Sequence, residues 1–160
     1  MNAALQTVAE PDEADWSDEA TGYACRIVRH PRAKHLCGYV QVPEGHPLHG
    51  LSYSADLPEA LAPLADAVLH GPIGKRGAIE VFCIAAGGGK LDVGGLFDVH
   101  GSITFSGDLL GRDGHWFGFD CAHSGDLSPG YDYGDGVYRT FEYVKAECAS
   151  LAKQLQQVAA

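Results

Sequence analysis

The stretch VYRTFEYVKAECASLAKQL, residues 137–155, sets Tyr138, Phe141, Val144, Cys148, Leu151 and Leu155 at intervals of three and four. That is the period of an α-helix, so these side chains form one apolar stripe, while Arg139, Glu142, Lys145, Glu147 and Lys153 lie mostly away from it. Such a helix needs a second layer against which to bury its stripe. Candidate strands lie upstream. YACRIVR (residues 23–29) and LCGYVQV (residues 36–42) are rich in strand formers and are divided by His30-Pro31, which reads as a hairpin. Leu96–Phe105 and His115–Cys121 read as two more strands, with the turn residues SGDLLGRDG between them. The nearly continuous apolar run AIEVFCIAA, residues 78–86, reads as a further strand, followed by a flexible hairpin turn at GGGK, residues 87–90. A phosphate loop would need Ser or Thr after that lysine, and Leu91 stands there. PEGHPLHG, residues 43–50, must be loop, and EALAPLADAVLHG, residues 59–71, shows helical spacing ended by Gly71-Pro72. These connections are too short for repeated helical crossovers. The expected class is α+β, a mostly antiparallel sheet with the long C-terminal amphipathic helix packed on it.

A chain of 160 residues is one domain in size. Residues 1–20 carry Glu10, Asp12, Glu13, Asp15, Asp18 and Glu19 with little apolar content, which reads as a flexible acidic arm preceding a single domain over residues 21–160. The formal charge of −10 opposes contact with a nucleic-acid duplex, which needs clustered Lys and Arg. The 5 cysteines are odd in number and widely spaced, and the acidic N-terminus lacks an export signal, so a reducing cytoplasm is expected. No apolar run approaches the roughly 20 residues that span a bilayer, so no membrane partner is expected.

The chemistry-bearing residues concentrate in DVHGSITFSG (residues 98–107) and WFGFDCAHSGD (residues 116–126). Strand alternation would put Asp98 and His100 on one face, where they could meet Asp120, His123 and Asp126, which recur every three residues. Oxygen and imidazole donors of this kind suit a divalent metal, so Asp98, His100, Asp120 and His123 are candidate metal ligands. The same four are candidate catalytic residues of a hydrolase acting on a small phosphorylated or nucleotide substrate, with or without metal. The plainer alternative is that the aspartates satisfy loop amides and the histidines bond within the core. Cys121 beside His123 raises a thiolate nucleophile, against the commoner fate of a buried free thiol. A site that only binds is the leading reading. Arg26, Thr104, Asp126, Tyr138 and Arg139, with Tyr131 and Tyr133, are candidate contacts for a small polar, nucleotide-like ligand, the guanidiniums holding phosphates and the rings stacking on a base. A protein-interaction module working through the acidic arm is the third class, and a homodimer is the commonest oligomer to expect.

The order HLCGYVQVPEGHPLHG, DVHGSITFSG, WFGFDCAHSGD and VYRTFEYVKAECASLAKQL resembles a family of small uncharacterised proteins of bacteriophages and of actinobacterial and proteobacterial genomes. The likeness runs from Tyr23 onward. It departs at Ser102, where the family's pattern has a second glycine after His100-Gly101. The resemblance implies a phage-type accessory protein working in the host cytoplasm, and such proteins often counter host defence by sequestering or cleaving nucleotide immune signals.

Overall fold

The computed structural model describes residues 9–75, 78–131 and 135–160. Five strands form one sheet in the order β1-β2-β3-β5-β4, with every neighbouring pair antiparallel: β1 (Glu13–Ser17), β2 (Ala24–Arg29), β3 (Leu36–Val42), β4 (Phe105–Leu109) and β5 (Arg112–Asp120). Among the described residues three α-helices accompany it: α1 (Ala62–Leu69), α2 (Ala78–Ala86) and α3 (Phe141–Ala159). The protein is α+β, and α3 packs on β2 and β3. Among the described residues no helix is long and apolar enough to cross a membrane.

Alternation along the strands separates two faces. Cys25, Ile27, Leu36, Val40, Val42, Phe117 and Phe119 point inward and form one core with Val144, Cys148, Leu151 and Leu155 of α3. Each fully buried Leu, Ile, Val or Phe contributes on the order of 1.5–3 kcal/mol, so this interface carries the fold. Gly38 makes it close: a Cβ there would collide with the Phe119 ring and the Cys148 sulfur. The other face carries Arg26, Val28, Cys37, Tyr39 and Asp120, aligned across the sheet by the pairs Arg26–Tyr39, Val28–Cys37 and Cys37–Asp120. Arg112 on β5 grips Asp15 on β1 through two hydrogen bonds of 3.0 and 2.7 Å. Three strand spacings, roughly 14 Å, separate those strands in a flat sheet, so this one is strongly coiled toward its outer face.

Five sequence expectations need correction. The stretch read as a flexible arm includes β1, an edge strand, because Asp15 and Glu13 find Arg26 at 2.5 and 2.7 Å and the ladder supplies the rest; residues 1–8 of that arm lie outside the described residues. Leu96–Phe105 is not a strand. It starts in a single 3-10 turn, Gly94–Leu96, and continues as a loop to Phe105, where β4 begins. Most of SGDLLGRDG is therefore strand, and only Leu110-Gly111 turns the β4–β5 hairpin. Residues 78–86 are helix α2, because a short apolar run has no period that distinguishes a buried strand from a helix. Its glycines then stop the helix. Gly89 N–H reaches Ile84 O at 2.8 Å and Gly88 N–H reaches Ala85 O, both glycines at positive φ, which is a Schellman ending rather than a hairpin turn.

The C-terminal helix stands as read, except that it starts at Phe141 and that Glu147, expected mostly away from the apolar stripe, is buried on it. Thr140 caps it by accepting from Tyr143 N–H at 3.2 Å, and Tyr138 is left in the preceding loop.

Candidate functional site

β5 ends at Asp120, and the chain turns back on itself through residues 121–126. The turn is closed by Asp126, whose Oδ2 accepts from His123 N–H at 3.0 Å while its own N–H bonds His123 O at 2.9 Å. Val137 holds the far side, donating to Gly125 O and accepting from Leu127 N–H. The facing loop, residues 97–104, rides on α3 by side chains that stand in for a strand partner. Gln154 bonds both the N–H and the C=O of Asp98, and Glu147 Oε2 accepts from His100 N–H at 2.9 Å. At Gly101 (φ +66) a Cβ would fall inside the His123 ring, so only glycine lets the two loops meet.

The result is a continuous polar cluster. Asp126 Oδ2 lies 2.7 Å from His100 Nε2, and its Oδ1 accepts from Arg139 Nε at 2.8 Å. His100 Nδ1 lies 3.0 Å from the Tyr143 hydroxyl. The Arg139 guanidinium stands over the Tyr143 ring, 5.0 Å from its centroid, and the His100 and His123 rings lie 5.7 Å apart. On the other side Lys75 Nζ bonds Glu147 Oε1. Both carboxylates are buried, with side-chain exposures of 1% for Asp126 and 5% for Glu147. The side chains of Arg139 and Lys75 are 28% and 47% exposed. Buried anions thus anchor half-exposed cations.

Electrostatics fix the protonation pattern. Burial alone would raise the Asp126 carboxyl, but hydrogen bonds from Arg139, His100 and the His123 amide outweigh it and hold the group below the usual carboxylate range. An ionised Asp126 accepts only, so His100 Nε2 donates; in the neutral ring Nδ1 is then the acceptor for the Tyr143 O–H. Burial and the nearby Glu147 raise the Tyr143 phenol, keeping its proton in place at neutral pH. Hydrogen bonding to Glu147 raises Lys75, and hydrogen bonding to Asp126 raises Arg139. His123 Nε2 is the buried side-chain atom without a hydrogen-bond partner among the described residues, with Asp120 Oδ1 at 3.7 Å, beyond bonding range.

Of the residues singled out in the sequence, His100, His123, Asp126 and Arg139 come together here. Asp98 does not join them, because the alternation argument fails where there is no strand; its Oδ1 accepts from Lys75 N–H and its carboxylate packs on Gly74. Asp120 accepts from Thr104 Oγ1 at 2.9 Å and from Ala122 N–H at 3.1 Å, and it faces the outer side of the sheet. The four proposed metal ligands are therefore not assembled, and among the described residues no group of 3 or more His, Cys, Asp or Glu side chains is arranged to hold a metal ion. Arg26 is committed to Glu13 and Asp15. Tyr138 donates to Glu10 at 2.6 Å and accepts from Arg29 at 2.8 Å, so it is a structural link. Tyr131 is exposed, and Tyr133 lies outside the described residues. The Cys121 thiol is buried, and burial together with Asp126 raises it far from thiolate formation.

Sequence reasoning missed Tyr143, Glu147 and Lys75. For Glu147 the signal was present: it follows Val144 by three residues and precedes Leu151 by four, so it sits on the apolar stripe itself. A carboxylate there must be paired, and both of its oxygens are. Lys75 gave no such signal, lying in a loop without periodicity. The chain matches no known protein family, no curated protein and no solved structure.

Proposed function

We propose that this cluster binds a small anionic ligand, phosphate-bearing and nucleotide-like in class, and that holding the ligand is its function. One observation carries the reading: Arg139 and Lys75, each tied to a buried carboxylate, flank the Tyr143 ring and the His100 imidazole as partly exposed cations. Anchoring a cation by one nitrogen orients it without using up its donors. Among the described residues the hydrogen bond of Arg139 runs from Nε alone, which leaves the forked terminal nitrogens for a phosphate. In a chain of net charge −10 the two carboxylates are held inside the protein while their cations reach solvent, so the cations are what an incoming small anion would meet. Sequestration of a host nucleotide signal is the use that the resemblance to phage accessory proteins suggests.

Titration calorimetry with pyrophosphate and a panel of nucleotides tests this. Binding that weakens roughly tenfold or more in Arg139→Ala and in Lys75→Ala is the expected result, in line with loss of a charge-assisted hydrogen bond. Absence of binding to every phosphate compound, or binding indifferent to both changes, overturns it.

A second reading has its own support. The chain Asp126–His100–Tyr143 is a carboxylate-oriented imidazole accepting from a protonated phenol, a layout in which Tyr143 can pass a proton from an attacking water to His100 Nδ1 and return it by the same route to the leaving group. This makes an acid/base hydrolase of the same ligand class. Turnover of a bound nucleotide, abolished in Tyr143→Phe while affinity persists, would distinguish it from sequestration.

A further inference from the structure

A concavity opens on the outer face of the sheet, beyond Asp120. It is a cleft of about 400 Å³. One wall is the His30–His35 pair, stacked at 5.0 Å with planes 19° apart. Another is Tyr39, set edge-on to Phe105 at 5.5 Å and 90°. Aromatic walls with a few placed polar groups suit a small planar molecule, and this volume lies in the usual range for ligand sites.

The polar groups in the cleft are specific. Asp120 offers two oxygens with about four lone-pair positions in all. Thr104 occupies one position on Oδ2 and Ala122 N–H one on Oδ1, so each oxygen keeps one for an incoming donor. Two adjacent free acceptors on one carboxylate match a ring edge that presents two N–H donors side by side. The cleft also adjoins the polar cluster: Asp120 lines it, and Asp120 Oδ1 is 3.7 Å from His123 Nε2, whose ring lies against that of His100.

We infer that the cleft is the base-binding half of the site, taking a planar heteroaromatic ring with paired N–H donors, as on the Watson–Crick edge of guanine, between Tyr39 and the histidine pair with Asp120 bonding that edge. The phosphate half of this picture rests on the anion-binding reading above, whereas the cleft stands on its own walls and acceptors. Adenine, with an acceptor beside its amino group, would meet the carboxylate lone pair to lone pair and be disfavoured.

The test separates the two halves. Calorimetry is run with guanosine, pyrophosphate, GMP, IMP and AMP on the wild-type chain and on Tyr39→Ala and Asp120→Asn, each variant first checked for an unchanged circular dichroism spectrum and melting transition. GMP is expected to bind roughly tenfold more tightly than IMP, which lacks one of the two donors, and Asp120→Asn is expected to erase that difference. Tyr39→Ala is expected to weaken GMP and guanosine without changing pyrophosphate. If GMP, IMP, AMP and pyrophosphate bind alike and the variants change nothing, the cleft assignment is overturned while the anion site stands. Guanosine binding with no affinity for pyrophosphate upholds the cleft and removes the anion reading. If neither variant retains the wild-type fold, the GMP, IMP and AMP order on the wild-type chain decides: equal affinities, or no binding by any of the three, overturn the proposal.

Discussion

Asp126 holds His100 at 2.7 Å from inside the protein, with its carboxylate all but excluded from solvent and its second oxygen on Arg139. One buried charge therefore orients the imidazole and restrains the guanidinium at once. Replacing it with asparagine keeps the shape and removes the charge. Asp126→Asn is expected to lower stability by about 2–4 kcal/mol, below the roughly 3–5 kcal/mol for stranding one member of a fully buried pair because Arg139 is partly exposed, and to free the His100 ring to change tautomer. Urea denaturation measures the first effect and the imidazole nitrogen resonances of His100 the second. A variant as stable as the parent, with the same tautomer, would falsify the assignment of Asp126 as the anchor.

Acid should remove the same stabilisation. Because the folded-state pKa of Asp126 is depressed, the unfolded chain binds the proton more readily than the native one. The contribution is thus fully present above the unfolded carboxylate value of about 3.9 and is lost as pH falls from there through the lower folded value. The stability gap between the parent and Asp126→Asn should accordingly narrow on acidification below about pH 4. A gap that stays constant into that range would show that Asp126 does not titrate as proposed.

The sheet and its helix were legible because their patterns are redundant: residues 36–42 alternate along their whole length, and Val144, Cys148, Leu151 and Leu155 repeat on one helical face. The α2 segment was not, since AIEVFCIAA is apolar at almost every position and offers no period to read. The acidic β1 looked like a solvated arm because its partners show only once the strands pair: Arg26 stands directly opposite Asp15 in the β1–β2 ladder, and Arg112, 97 residues away, is brought within reach by the coiled sheet. The site was half legible for the same reason. His100, His123 and Asp126 belong to two short motifs that advertise themselves, whereas Lys75 reaches Glu147 from across 72 residues of chain. Asp98 was misplaced by an argument from strand alternation applied to a loop.

Gly101 is where the two motifs touch. Its φ of +66 already disfavours a side chain, and an added methyl would occupy the position of the His123 ring. Gly101→Ala should destabilise the protein by about 2–4 kcal/mol, summing the left-handed strain and the overpacking, and should displace His123. Thermal melting tests the magnitude, and loss of ring-current contact between His100 and His123 tests the cause. Gly111→Ala serves as the control: it shares the positive φ but has open space at its Cβ, so it should lose only the strain, roughly 1–2 kcal/mol.

Glu10 shows that the acidic N-terminal segment is part of the site's support. Its Oε1 accepts from Phe141 N–H at 3.0 Å, the first helical amide of α3, and its Oε2 accepts from the Tyr138 hydroxyl and pairs with the buried Arg29 at 3.4 Å. A carboxylate at a helix N-terminus satisfies an orphan donor and complements the helix dipole. Because α3 carries Tyr143 and Glu147, the start of this helix sets where two members of the polar cluster stand. Glu10→Ala is expected to cost about 2–3 kcal/mol, the sum of a lost cap and of polar groups left partly unpaired. Glu10→Gln retains an acceptor and should lose less. Hydrogen exchange at the Phe141 and Glu142 amides gives the local readout, with protection falling in the alanine variant and partly kept in the glutamine one. Equal protection in all three chains would mean that Thr140 alone caps α3 and that the N-terminal segment bears no load there.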